Sequence, residues 1–400
     1  MRIALILAFF FCAVGSYGSE VNGIWTESST KDLGEWTGIA ALKGLKIRGW
    51  LDSYYVSNFN DPHRSTVIAN QGASIVKGRD VTIEGRTFDI HNRSFRFSLG
   101  EVELEKVPTL GEWAGFGFKL DVAVSPKRET QDIIVKTIQA GVAKKNVVND
   151  FDRYIQHFTV GYLAPIGKGL RIDFGKFVTH IGGETIETIK NNNYSHSFFY
   201  TYAIPFQDTG FRINYPWTDT FYTEFYILQG WNVTNDNNSS KTVGPSIGWT
   251  PSPKFSVYAN YLVGPEATKN NHDLRNLYDM QVNWNPFDPF NYTLNFDIGT
   301  DEALVGGNAL WWGLTHTLRY KVNDYFEPAL RLEYYADPDG FTTGVKQRLV
   351  GLTLTGNLKY PLGKGFNVIF RPEYRYDRST NNFFTRSGNF RDAKSQHTLG

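Results

Sequence analysis

Short and long connections alternate along this chain, and that alternation constrains the fold more than any single segment does. Short connections rich in Pro, Gly, Asn and Asp fall at 107–111, 164–169, 215–220, 250–254, 285–289, 322–325 and 361–365. Such residues favour tight hairpin turns. Longer polar stretches lie between them, near 57–92, 126–150, 180–207, 233–243, 264–274, 300–308, 337–346 and 378–395. The segments they join have period two. In 289–300, Tyr292, Leu294, Phe296 and Ile298 alternate with Thr293, Asn295, Asp297 and Gly299. In 365–377, Phe366, Val368, Phe370, Pro372, Tyr374 and Tyr376 alternate with Asn367, Ile369, Arg371, Glu373, Arg375 and Asp377. Helical spacing fits neither segment; strands with one apolar face fit both. The pattern predicts an all-β, closed antiparallel transmembrane β-barrel of about 16 strands, with short periplasmic turns and long extracellular loops.

Composition agrees with strands that are greasy on one side only. Aromatic residues make up 16% of the chain, yet the mean hydropathy is −0.35. A membrane barrel reconciles the two, because lipid-facing and lumen-facing residues average out while interfacial girdles consume aromatics. The net charge of +1 excludes nucleic acid as an expected partner and gives no reason for a strongly one-signed pore. Met1-Arg2, the apolar run 3–14 and Ser16-Tyr17-Gly18 predict a signal peptide over residues 1–18. The single cysteine, Cys12, lies inside it, so the exported chain has no disulfide. Residues 19–42 are expected as a periplasmic N-terminal segment with a short helix or a plugging role, and 43–400 as the barrel. The chain stops at His397-Thr398-Leu399-Gly400, part-way into an alternating segment. A membrane strand needs about 9–11 residues, so the natural product is expected to continue for about five to ten more.

Parity places a set of charges on the lumen side: Arg48, Asp52, Glu101, Glu103, Glu105, Lys119, Asp121, Arg171, Asp173, Arg212, Arg319, Arg331, Glu333, Arg371, Glu373 and Arg375. Such a wall orients solutes or simply lines a wetted interior with salt bridges. The third long loop, 180–207, carries Glu184, Glu187, Lys190, the run 191–197 and an aromatic block at 198–202. It is expected to fold inward as a constriction, with Glu184 and Glu187 opposite Arg48 and Arg371. The Asn/Asp-rich run 232–238 suits a turn better than a calcium loop, because it lacks fixed acidic spacing. His157 is expected in the lumen, and His180 and His196 in or near the third loop. None of the eight histidines has a nucleophile elbow or metal-ligand spacing. Neither an enzyme nor a cofactor is expected.

The central block is similar to the OmpL-like β-barrel porin family of Gram-negative bacteria. Its residues are Asp173-Phe174-Gly175-Lys176-Phe177, Gly182-Gly183-Glu184, Asn192-Asn193-Tyr194-Ser195, Ala203-Ile204-Pro205-Phe206, Thr209-Gly210-Phe211-Arg212 and Gly230-Trp231-Asn232 with Asp236-Asn237-Asn238. Weaker resemblance runs from Gly49-Trp50-Leu51-Asp52 to Gln396-His397-Thr398-Leu399. The resemblance implies a passive outer-membrane channel for small hydrophilic solutes or ions. It also implies that Gly175, Lys176, Glu184, Ser195, Pro205, Gly210 and Arg212, which bracket the third loop, matter together. Outer-membrane lipid and lipopolysaccharide are the expected surroundings. A homotrimer is among the expected assemblies, although lipid-facing and subunit-facing surfaces both read as apolar. The competing readings are a plugged scaffold barrel that sheathes a partner or displays loops, and a soluble β-sandwich with inward-facing aromatics.

Overall fold

The computed structural model describes residues 31–39, 42–62, 65–68, 75–78, 83–126, 130, 153–303, 307–363, 366–387 and 389–400. The expected signal peptide lies outside the described residues, as do 19–30 of the N-terminal segment and nearly all of the loop at 126–150. Of that N-terminal segment, Lys31–Asp32 forms a short strand and Leu33–Thr37 a helix capped by Asp32, whose carboxylate accepts from Gly34 and Glu35 amides.

One antiparallel sheet of 19 segments carries the chain. From Arg96–Lys106 to Gln347–Gly363, each strand pairs with the strands before and after it. Leu45–Tyr54 pairs with Arg96–Lys106, and Glu373–Ser379 with Ser395–Leu399. Ser395–Leu399 in turn meets Ser57–Asn58, with Thr398 opposite Asn58 and Leu399 opposite Ser57. Among the described residues no pairing joins Leu45–Tyr54 to Phe366–Phe370; a cavity of about 560 Å³ lined by Trp50, Asp52, Phe370 and Arg371 lies beside both.

The count of 19 differs from the about 16 strands that periodicity predicts for such a sheet. Two ladders are interrupted and one short piece is added. Pro372 has no N–H to give, which splits Phe366–Phe370 from Glu373–Ser379. Val56 bridges Asn92 instead of continuing Leu45–Tyr54. Lys31–Asp32 pairs with Ile47 and Lys46 as an extra fragment.

Burial along the strands is the inverse of a soluble protein. In Phe290–Asp301 it alternates perfectly, with Asn291, Thr293, Asn295 and Asp297 buried and Tyr292, Leu294, Phe296 and Ile298 on the other face. Glu101, Glu103 and Glu105 are buried, whereas Tyr360 and Phe370 are each 67% exposed. Leaving one large apolar side chain in water forgoes about 1.5–3 kcal/mol. A belt of them, including Trp249, Tyr278, Trp284, Val350 and Leu354, is stable only against lipid. This removes the β-sandwich reading, which requires the aromatics to face inward.

Candidate functional site

Paired glycines open the third loop. Gly175 and Gly210 lie opposite each other where Leu170–Val178 meets Gln207–Pro216. Both have positive φ, 143° and 156°. A Cβ at Gly175 would lie 2.1 Å from the Phe158 carbonyl oxygen, and one at Gly210 2.1 Å from that of Ile227. Only glycine allows this close approach and backbone conformation. Beyond them alternation breaks, since Lys176 and Phe177 are both buried, and the chain leaves the sheet. The Thr179 amide donates to the Phe206 carbonyl at 3.0 Å, tying the loop's base.

The loop is mostly irregular, so its buried backbone groups need partners. The charged wall supplies them. Arg371 donates to the carbonyls of Thr188 and Asn191, both at 2.6 Å. Arg375 donates to the His196 carbonyl at 2.6 Å, and Arg331 to that of Ser195 at 2.6 Å. Glu373 accepts from the amides of Tyr194 and Ser195, and Glu333 from that of Phe198. Asp52 accepts from the Thr188 and Tyr194 hydroxyls at 3.1 and 3.2 Å. Asn295 and Trp311, several strands away, hold the Gly183 amide and the Ala203 carbonyl. Ser197 caps the α-helical turn Phe198–Tyr202 by accepting from the Tyr200 amide.

The expected facing pairs are not the ones formed. Glu184 pairs with Arg331 at 2.7 Å and accepts from the Ser197 amide and hydroxyl. Glu187 pairs with Lys190 at 3.1 Å and accepts from Gln156 at 2.9 Å. Arg48 instead pairs with Glu103 and Glu105, both at 3.3 Å. Arg371 is taken up by loop carbonyls. The cause is local: Lys190 lies one short turn after Glu187, and the planar guanidinium of Arg371 suits two converging carbonyls.

The predicted site residues therefore fall into four groups. Asp52, Glu184, Glu187, Arg331, Glu333, Arg371, Glu373 and Arg375 seat the loop. Arg48 and Lys119 neutralise an acidic patch, with Lys119 2.9 Å from Glu103 and 3.4 Å from Asp121. Arg171 and Arg212 converge on Asp173 at 3.0 and 2.7 Å, apart from the loop. Arg319 pairs with Glu327 at 3.2 Å.

Electrostatics in the loop follow from these neighbours. Burial opposes ionisation of Glu184, but Arg331, His196 and Ser197 hold its carboxyl below the ordinary range. Burial lowers His196 and pushes His180, stacked 3.7 Å above Tyr226, down to about 3. Burial disfavours the Lys190 ammonium, but Glu103 and Glu187 outweigh it and raise the group above its usual range.

A second set of residues escaped prediction. Tyr226, Leu228, Leu262, Leu277, Trp311, Tyr335 and Leu349 occupy inward positions yet are apolar, and all are buried. They pack with Phe88 and with Ile181, Phe198, Phe199 and Ile204 of the loop into one cluster. The available signal was an apolar residue on the polar face of an alternating strand. The run 232–238 behaves as a brace: Asn232 accepts from the Phe206 and Gln207 amides, and Asp236 from the Asn238 amide.

Comparison with known proteins places this arrangement. No curated protein sequence matches the chain. Among solved structures, it is similar to the anion-selective porin from Comamonas acidovorans, at 10% identity and a TM-score of 0.56, over 89% of this chain and 97% of that one. The loop L8 deletion mutant of OmpT, an outer membrane protein of Vibrio cholerae, matches at 10% identity and a TM-score of 0.49, over 88% and 97% of the two chains. The outer membrane channel DcaP of Acinetobacter baumannii matches at 10% identity and a TM-score of 0.46, over 88% and 96%. The model of the family described as "Putative beta-barrel porin-2, OmpL-like" matches residues 44–400. The chain belongs to that family and is a β-barrel outer-membrane channel protein of the porin class.

Proposed function

We propose that the chain forms a closed porin of about 16 staves that passes small hydrophilic solutes or ions by diffusion, narrowed by the loop at 180–207. Joining the two interrupted strands and setting Lys31–Asp32 aside supports that stave number. The observation that carries the constriction is the hydrogen bonding of loop backbone to wall charges, above all Arg331, Arg371 and Arg375. A loop seated this way narrows the passage without filling it by side-chain bulk alone.

The reading includes a modest preference for anions. Where Arg171 and Arg212 pair with Asp173, away from the loop, the cations are the more accessible partners: their side chains are 22% and 16% exposed, against 1% for Asp173. A solute passing this stretch meets guanidinium before carboxylate. Reversal potentials across a KCl gradient test it. Wild type is expected to favour chloride, and the double variant Arg171→Gln/Arg212→Gln to lose that preference. Cation preference in wild type, or no change in the variant, contradicts it.

The buried apolar cluster around Trp311 and Phe199 favours a second reading, a barrel plugged at its loop end. Liposome swelling separates the two: a porin admits small sugars, and a plugged scaffold admits none.

A further inference from the structure

The loop is also tied to the wall at a place where hydrogen bonding runs out. Glu101 and Glu103 on Arg96–Lys106 and Asp121 on Phe116–Val124 bring carboxylate oxygens within 4.8 Å of one another, all buried. Glu103 stands directly opposite Asp121, and Asp121 opposite His157 of the next strand. Like charges opposite one another across a ladder are destabilising unless something neutralises them.

Glu103 is already served, by Lys119 at 2.9 Å, Lys190 at 3.2 Å and Arg48 at 3.3 Å. Its neighbours are partly served, Asp121 by Lys119 at 3.4 Å and Glu187 by Lys190 at 3.1 Å, and each leaves polar atoms without a hydrogen bond. Glu101 Oε1, both Asp121 carboxylate oxygens, Glu187 Oε2 and His157 Nδ1 are buried and accept or donate no hydrogen bond. His157 is 6% exposed and Glu187 1%. His157 Nδ1 lies 4.0 Å from Asp121 Oδ2, while its Nε2 meets the Thr159 hydroxyl at 3.1 Å. The Gln156 amide bridges Glu101 Oε2 and Glu187 Oε1 at 3.0 and 2.9 Å. It thereby brings the loop carboxylate to the wall cluster and leaves one oxygen of each acid without a donor. Within the patch, Arg48, Lys119 and Lys190 pair with Glu103, Glu105, Asp121 and Glu187.

We propose that Glu101, Asp121, His157 and Glu187 form a divalent-cation site that clamps the inward loop to the wall. Three carboxylates and one imidazole suit Mn²⁺ or Zn²⁺ better than Mg²⁺, which keeps most of its water. With Nε2–H given to Thr159, the Nδ1 lone pair faces the cation, and the Thr159 contact fixes the ring. Glu103 and its three cations act as a counterbalance, not as a ligand. The ion joins three adjacent strands to the loop through Glu187.

The test uses the full chain, folded in detergent, stripped with EDTA and dialysed against Mn²⁺, Zn²⁺ or Ca²⁺ in turn. Metal content by mass spectrometry is expected to reach one Mn²⁺ or Zn²⁺ per chain, with Ca²⁺ weaker. Asp121→Asn and Glu187→Gln are each expected to weaken binding about ten-fold or more, while Glu327→Gln, in a separate ion pair, leaves it unchanged. Bound ion is also expected to slow protease cleavage of the loop. Glu187→Gln lies outside the strands, so its barrel folds even if Asp121→Asn does not. No stoichiometric metal on heat-modifiable, folded protein overturns the proposal, as does undiminished binding in Glu187→Gln.

Discussion

Replacing Arg331 by Met keeps most of the side-chain volume and removes every donor. The wild-type guanidinium is 1% exposed and contacts Glu184 at 2.7 Å, the Ser195 carbonyl at 2.6 Å, Glu333 at 3.3 Å and the Thr353 hydroxyl at 3.3 Å. Removing one partner of a buried charge network costs about 3–5 kcal/mol. Glu184 keeps two hydrogen bonds from Ser197, so the lower end, about 3 kcal/mol, applies. The principal broken contacts join loop to wall, so the cost falls on loop docking and not on the strand ladders. Each 1.4 kcal/mol is a factor of ten, so the undocked fraction should rise about 100-fold. Limited proteolysis reads that fraction directly when reclosing outpaces cleavage. The expected result is a cleavage rate within 180–207 raised about 100-fold, with larger or noisier single-channel steps and an unchanged heat-modifiable band. Arg331→Lys should recover part of the loss, since it restores charge but not the planar fork. Cleavage and conductance within two-fold of wild type, in folded protein, would refute the assignment of Arg331 as an anchor.

Acid should loosen the docked loop by three routes of the same sign, through His180, His196 and Glu184. Folding lowers the affinity of His180 for a proton, to about 3 from an ordinary value of about 6.5. The docked state therefore binds fewer protons than the free loop, and its stability falls as pH drops from about 6.5 towards 3. Glu184, also lowered, adds a further loss below its ordinary value of about 4.3. Protease sensitivity should thus be flat above about pH 7 and rise below it, with the upper part of the profile removed in the double variant His180→Asn/His196→Asn; a pH-independent rate contradicts this. Gly210→Ala should cost at least about 1–3 kcal/mol of backbone strain, lowering the temperature at which the heat-modifiable band unfolds; an unchanged temperature contradicts the glycine requirement. Leu349→Ala, at a fully buried inward site, should destabilise loop docking by about 2–5 kcal/mol. Leu354→Ala, 48% exposed on the outer face, should leave loop cleavage unchanged; equal effects of the two would deny the inward cluster its role.

Much of the wall was legible from parity. Arg331, Glu333, Glu373 and Arg375 sit on the inner face because their neighbours Leu332, Tyr374 and Tyr376 alternate with them. Pro372 marked the interruption of its strand in advance, although periodicity counted straight through it. What those charges face was not legible. Glu184 and Arg331 are joined across 147 residues and Thr188 and Arg371 across 183, and the loop's path is set by where its backbone groups find donors and acceptors. No local pattern encodes that choice. Trp311, Leu277 and Leu349 did carry a signal, as apolar residues on a polar face, but average alternation hides single exceptions. Glu101 of the wall and Glu187 of the loop are joined through Gln156, 55 and 31 residues away along the chain.

The central claim, an open channel narrowed by the loop, is tested most directly by recording the purified protein in a planar bilayer beside a variant in which a short Gly/Ser linker replaces 183–204. Wild type is predicted to insert in discrete conductance steps, and the variant to give larger ones. Folded wild type that yields no steps, or steps of the same size in both proteins, would contradict the account.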